Sequence, residues 1–172
     1  MKNDTLARVP CTTNLSADAS ETLAAHSSKT LAAHTPETLA AVRMLEAIVG
    51  SAEQIEVTTE HLLHGGMYSR TIRIPADSVI TGAYIKVPTV LIVHGDADVL
   101  TGDRWVSLSG YGVLAGSAFR KQVFVTRSAV EMTMVFATQA KTVEEAEREL
   151  TDEYDMLMSH NSVRDEISIT GE

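Results

Sequence analysis

The stretch TGAYIKVPTVLIVHGDADV, Thr81–Val99, reads as strand, bend, strand and hairpin. Pro88 interrupts the first apolar run because its ring fixes φ and removes a ladder donor, and HGDAD supplies the turn chemistry that closes the second. The same grammar extends in both directions. Upstream, MYSRTIRIP alternates, with Tyr68, Arg70, Ile72 and Ile74 on one side and Ser69, Thr71 and Arg73 on the other, until Pro75 stops it. Strands are expected at Val79–Val87, Val90–His94, Asp98–Leu100, Arg104–Leu108, Tyr111–Leu114, Gln122–Thr126 and Glu131–Ala137, with turns at HGDAD, TGD, SGYG and AGSA. Short strands at such spacing, with no helix between them, predict a mainly β domain, a sandwich or barrel, over residues 51–140.

Of the 172 residues, 44% are hydrophobic and 22% charged, which suits one globular domain with additional segments. The longest apolar run, VPTVLIV, is far below the roughly 20 residues that span a bilayer, and MKNDTLARVP lacks the apolar core of a signal peptide. A soluble, cytoplasmic protein with no membrane partner is expected. Cys11 stands alone, so no intrachain disulfide can form, and neither a thiolate zinc site nor a nucleophilic triad is suggested. The net charge of −9 is concentrated at one end: residues 142–172 hold ten acids against two arginines, whereas residues 51–141 hold eight of each sign. No basic stripe is left for phosphate backbones, so no nucleic-acid partner is expected.

Residues 1–50 form a leader rich in Thr, Ser and Ala, with eight-residue repeats SETLAAHS at Ser20, SKTLAAHT at Ser28 and PETLAAVR at Pro36. On one continuous helix each copy would be turned by about 80°, so Leu23, Leu31 and Leu39 would not share a face. The third copy is the best helix start, with Thr35 as cap and Pro36 at the first helical position. One amphipathic helix over about 35–50 follows, burying Leu39, Val42, Leu45, Ile48 and Val49, with Gly50 as its stop. His26 and His34 recur with the repeat and read as solvated residues. Residues 141–172 open with KTVEEAEREL, where Thr142 and Glu145 form a capping box. Ala146, Leu150, Tyr154 and Leu157 continue as an apolar stripe on an acidic helix that would pack along the barrel or a neighbouring subunit. SVRDEISITGE fits either a short strand or a loose end.

Tyr68–Thr138 resembles the cupin-like, double-stranded β-helix proteins found in bacteriophage and prophage genomes. The likeness is carried by YSRTIRIPADSVITG, by the hairpin through Gly95, by LAGSAFRK in place of a Pro-x-Gly type turn, and by a last strand leading into a Glu-rich helix. It covers about 70 residues. It implies a cupin-like jelly-roll barrel, flanked here by an N-terminal extension and a C-terminal acidic helix. In metal-using relatives, histidines and a carboxylate project from neighbouring strands into the barrel. The corresponding places here hold Ile85, Pro88, Thr89 and Phe136, which offer no ligand set, so no metal and no cofactor are expected.

EHLLHGG offers His61 and His64 beside Glu60, but it is not the His-Glu-x-x-His pattern and two glycines follow at once, so a surface loop with incidental histidines is expected. His94, beside Gly95, reads as turn chemistry. A metal site assembled from His61, His64 and His94 stays as the alternative. There is no Gly-x-Ser-x-Gly, no GxxxxGK and no GxGxxG, and Asp77, Asp96, Asp98 and Asp103 fall at expected turns. No catalytic residue is assigned, and the balance is against an enzyme.

By the resemblance, Tyr68 and Arg70 sit at recurring positions and Arg120 follows the Gly116 turn. A small anionic molecule held by Tyr68, Arg70 and Arg120 is the ligand these residues suggest; otherwise Arg70 pairs with a nearby acid and stiffens the sheet. Three functions follow, in order. The first is a non-catalytic phage jelly-roll protein of the host cytoplasm or the virion, acting in assembly as a homo-oligomer or with a virion partner. The second is a metal-free small-molecule binding module. The third is a cupin enzyme with an unrecognised metal site. A structural barrel should be filled by Ile85, Val87, Leu91, Val93 and Phe136, whereas a binder should show a cavity with Arg70 or Arg120 at its mouth.

Overall fold

The computed structural model describes residues 5–8, 30–55, 57–157 and 166–170. The first repeat copy, Cys11 and His26 lie outside the described residues. The strands are β1 (Thr5–Arg8), β2 (Thr30–Leu31), β3 (Thr59–His64), β4 (Met67–Ile74), β5 (Ser78–Thr81), β6 (Thr89–His94), β7 (Ala97–Thr101), β8 (Arg104–Leu108), β9 (Tyr111–Gly116), β10 (Val123–Thr126), β11 (Val130–Ala137) and β12 (Glu166–Thr170). Helices are α1 (Pro36–Ser51) and α2 (Val143–Leu150), followed by a 3-10 turn at Tyr154–Met156.

Two sheets face each other, one ordered β1-β5-β10-β7-β8 and the other β12-β3-β4-β11-β6-β9-β2. The chain crosses from β4 to β5, returns at β6, crosses to the β7–β8 hairpin, returns at β9, crosses again to β10 and returns at β11. β4 therefore lies against β11, and β5 against β10. This wrapping is that of a double-stranded β-helix, the jelly roll expected from the sequence. Alternation sets what points inward: Tyr68, Arg70 and Ile74 of β4 are buried, and Arg73 on the outer face is exposed. The leader and the tail each add strands, β1, β2 and β12, to the barrel's sheets.

Several sequence expectations change. EHLLHGG is not a surface loop: His61 and His64 belong to β3, which turns at Gly65 and Gly66 into β4. Both glycines have positive φ, +55° and +73°, as a two-residue hairpin turn requires. The strand expected over Val79–Val87 ends at Thr81, because the chain crosses between sheets there; Ile85 then makes an isolated antiparallel bridge to Arg120. SVRDEISITGE contains β12, parallel to β3. Asp98 lies within β7 and pairs with Arg127, rather than sitting in a turn.

α1 begins where expected, with the Thr35 side chain accepting from the Thr38 N–H. It packs on β1 and β5 through Val42 and Val49, which stand two turns apart. Ile48 is 66% exposed, since one residue turns about 100° around the axis from Val49. Gly50 does not stop the helix, which runs to Ser51 and is closed by the Ala52 N–H on the Val49 carbonyl. α2 is shorter than the stripe suggested, because Thr151 turns extended, yet Ala146, Leu150, Tyr154 and Leu157 all pack on the barrel. His34 is half-buried rather than solvated, with both ring nitrogens on backbone carbonyls. Lys121 is fully buried, its Nζ 2.8 Å from Glu46 of α1 and 3.3 Å from Glu153 beyond α2, so one ammonium ties both extensions to the barrel.

Candidate functional site

The barrel interior forms two apolar clusters. One gathers around Val93, Ala97, Val99, Phe124 and Met132; the other joins Leu63, Tyr68 and Phe136 to Ala146, Leu150 and Leu157. A cavity of about 110 Å³ lies at their seam, walled by Leu91, Phe124 and Met132 of the first cluster and by Ala83 and Ile85 of the second. Arg70, Arg120 and Gln122 are its charged and polar lining.

Arg70 is brought there by register. His61, Arg70, Met134 and Leu91 lie side by side across β3, β4, β11 and β6, all on the inward face. Arg70 is buried and already engaged in an interaction of its own. Arg120 arrives from the β9–β10 connection, where Ile85 and Arg120 exchange backbone hydrogen bonds of 2.8 and 3.2 Å. Just before it, Phe119 has φ +59°, a left-handed conformation that an aromatic residue rarely adopts, and its ring is 62% exposed.

Arg120 is 3% exposed. Its Nη1 donates to the Ser117 carbonyl and its Nη2 to Thr89 Oγ1, each at 2.6 Å. The Nε–H has no partner, and no carboxylate pairs with the group, among the described residues. Burial without a counter-charge pushes its pKa down to about 10, which leaves it a cation at neutral pH. A fixed, desolvated cation lines an apolar cavity.

The expected site residues separate. Arg70 and Arg120 converge on the cavity. Tyr68 does not line it: it is fully buried in the second cluster, edge-on to Phe136 at 5.4 Å, with its hydroxyl 2.8 Å from His61 Nδ1. Of the four places that the sequence resemblance set against metal ligands, Ile85 lines the cavity, Thr89 holds Arg120, Phe136 packs on Tyr68, and Pro88 is exposed between strands. The three histidines do not converge. His61 faces inward, His64 faces outward and meets Thr170, and His94 is exposed at the end of β6. No group of three His, Cys, Asp or Glu side chains suited to a metal occurs among the described residues. The interior does not fit a divalent ion, because the one hydroxyl among those four places, Thr89, is bound to a guanidinium whose charge would repel a metal. Gln122 escaped notice in the sequence, since it stands just before a strand whose neighbours gave no sign of facing a cavity. The inward strand position of His61 follows when TEHLLH is read as an alternating strand closed by Gly-Gly.

The fold is that of a cupin-like, double-stranded β-helix barrel with an Arg120 cation at its cavity. Similar solved structures include cupins. A cupin-2 domain protein of Rhodospirillum rubrum is 10% identical at a TM-score of 0.41, over 48% of this chain and 60% of that one. A cupin superfamily protein of Desulfitobacterium hafniense is 14% identical at 0.42, over 54% and 87%. An RmlC-like cupin family protein of Methanocaldococcus jannaschii is 15% identical at 0.41, over 48% and 81%. Such likenesses concern the course of the chain alone. The sequence matches no family model and no curated protein. No helix among the described residues is long and apolar enough to cross a membrane.

Proposed function

We propose that this protein is a small-molecule binding module whose barrel takes a compact carboxylate, with the Arg120 guanidinium as its counter-charge. The observation that carries this reading is a cation 3% exposed, held by Thr89 and Ser117, lining an apolar cavity with no described carboxylate on it. Leaving a charge desolvated and unpaired is unfavourable, and an anion with N–H groups to meet would offset it. The guanidinium fork suits planar carboxylates and phosphates alike. The apolar wall of Leu31, Ile80, Leu91 and Phe124 favours a carboxylate with a short hydrocarbon body, and about 110 Å³ admits only a few heavy atoms. Arg70 and Gln122 on the same cavity would orient it.

Thermal denaturation of the full chain with sodium propanoate, against propanamide as neutral isostere, tests the reading. Propanoate should raise Tm saturably and propanamide should not, and Arg120→Met should fold yet lose the response. Equal shifts from both compounds, no shift from propanoate, or an undiminished response in the variant would overturn it.

An assembly role is the second reading. It is supported by the phage-like sequence pattern and by the outward face of the seven-stranded sheet, where Leu62, Met67, Val90 and Val113 are 42–44% exposed. Native mass spectrometry tests it: a symmetric oligomer supports it, and a monomer at micromolar concentration counts against it.

A further inference from the structure

The segment Thr30–Thr35 crosses from one sheet to the other over the cavity. On one side β2 pairs in parallel with β9, Thr30 with Ala115 and Leu31 with Gly116, and the Ser117 N–H donates to the Leu31 carbonyl at 2.9 Å. On the other side the Ala32 N–H donates to Thr101 Oγ1 at 2.7 Å, and the Ala32 carbonyl accepts from the Gly102 N–H at 3.4 Å and the Gln122 amide at 3.1 Å. Leu31, 2% exposed, forms part of the cavity wall, and Gln122 both lines the cavity and holds the strap.

The last tie is His34. Its Nδ1 meets the Gly102 carbonyl and its Nε2 meets the Lys121 carbonyl at 2.6 Å. Both partners are acceptors only. A doubly protonated ring donates to both, whereas a neutral ring has one N–H and must turn a lone pair toward one of the two oxygens. The ionisable groups on the neighbouring elements are Asp103 on the β7–β8 turn, Arg104 at the start of β8, Arg120 and Lys121 before β10, and Glu37, Arg43 and Glu46 on α1. Lys121 directs its ammonium to Glu46 and Glu153, and Arg120 directs its guanidinium to Thr89 and Ser117. Asp103 is held below the usual carboxylate range by hydrogen bonds from Thr38 and from the Thr35 backbone and hydroxyl, and by the His34 charge. Asp103 is therefore ionised throughout the pH interval of the test.

We propose that Thr30–Thr35 is a strap across one end of the barrel and that protonated His34 is its latch, so that the strap stays docked in acid and lifts more often as pH rises. The docking of the strap does not depend on what the cavity binds, and its test reads the strap alone.

Backbone hydrogen exchange of the full chain, followed by NMR and expressed as protection factors so that the intrinsic pH dependence of exchange cancels, gives that test between about pH 5 and about pH 8. The Ala32, Gly102 and Ser117 amides donate across the strap; the Met132 and Val93 amides in the sheet serve as internal reference. In the natural protein the strap amides should lose protection by roughly tenfold relative to the reference over this interval, the size of one hydrogen bond. In His34→Gln their protection should be low and independent of pH. Strap protection that stays constant with pH in the natural protein, or a fall of equal size in His34→Gln, overturns the proposal. The first of these outcomes needs no variant to fold.

Discussion

Gly116 and Arg120 occupy one volume: a Cβ at position 116 would lie 2.5 Å from both Cζ and Nη2 of the Arg120 guanidinium and 2.7 Å from Thr89 Oγ1. The glycine sits at the end of β9 in ordinary strand conformation, so what selects it is contact and not backbone freedom. Gly116→Ala should unseat the guanidinium and destabilise the protein by about 1–3 kcal/mol. Gly112→Ala in the same strand, where a Cβ meets open space, should change stability by less than about 0.5 kcal/mol. Urea denaturation of the two variants measures the contrast.

Removing the cation should not weaken the fold. Arg120→Met replaces a buried unpaired charge with an apolar chain of similar length, and stability at pH 7 should stay the same or rise by up to about 2 kcal/mol. The pH dependence has a definite sign. Burial lowers the folded pKa of Arg120 to about 10, below its value in the unfolded chain, so above that pH the unfolded chain binds the proton more strongly. The natural protein should therefore gain stability relative to the variant as pH rises above about 10, and the difference should be flat from pH 6 to about 9. Paired denaturation curves across pH give the measurement.

Lys121 presents the opposite case, a buried cation with two carboxylates. Lys121→Met leaves Glu46 and Glu153 facing one another without their charge partner and should cost about 3 kcal/mol. Glu46→Gln should cost less, because Glu153 remains. If the two variants unfold at the same urea concentration, Lys121 does not tie the extensions to the barrel.

Tyr68 acts through its hydroxyl as well as its ring. Tyr68→Phe keeps the edge-on packing with Phe136 and removes only the 2.8 Å bond to His61, which should cost about 1 kcal/mol. Tyr68→Ala would also open a hole in the second cluster and should cost about 3–5 kcal/mol. The gap between the two separates hydroxyl from ring, read by urea denaturation.

Periodicity alone specified much of this molecule. The inward set of β4, the capped start of α1 at Thr35 and the apolar stripe running through Ala146, Leu150 and Leu157 follow from a period of two or 3.6 written in the residues themselves. Boundaries were less legible. The end of β5 at Thr81 and the end of α2 at Leu150 are set where the chain must leave one surface for another, and neighbouring residue types do not encode that.

The candidate site divides in the same way. Arg70 and Arg120 could be singled out in the sequence as basic residues of the barrel, but they lie 50 positions apart, and only the wrapping of β4 against the β9–β10 connection brings them to one cavity. Tyr68 shares the inward face with Arg70 and still misses the cavity, because it stands one cross-strand row further along, beside Phe136 and Leu63. The sequence by itself determined the β class and the alternation. Which charges find partners was decided by tertiary structure alone: Lys121 meets two carboxylates and Arg120 meets none among the described residues, although the two are adjacent in the chain. Strand alternation sends consecutive side chains to opposite faces, and what waits on each face comes from distant parts of the sequence.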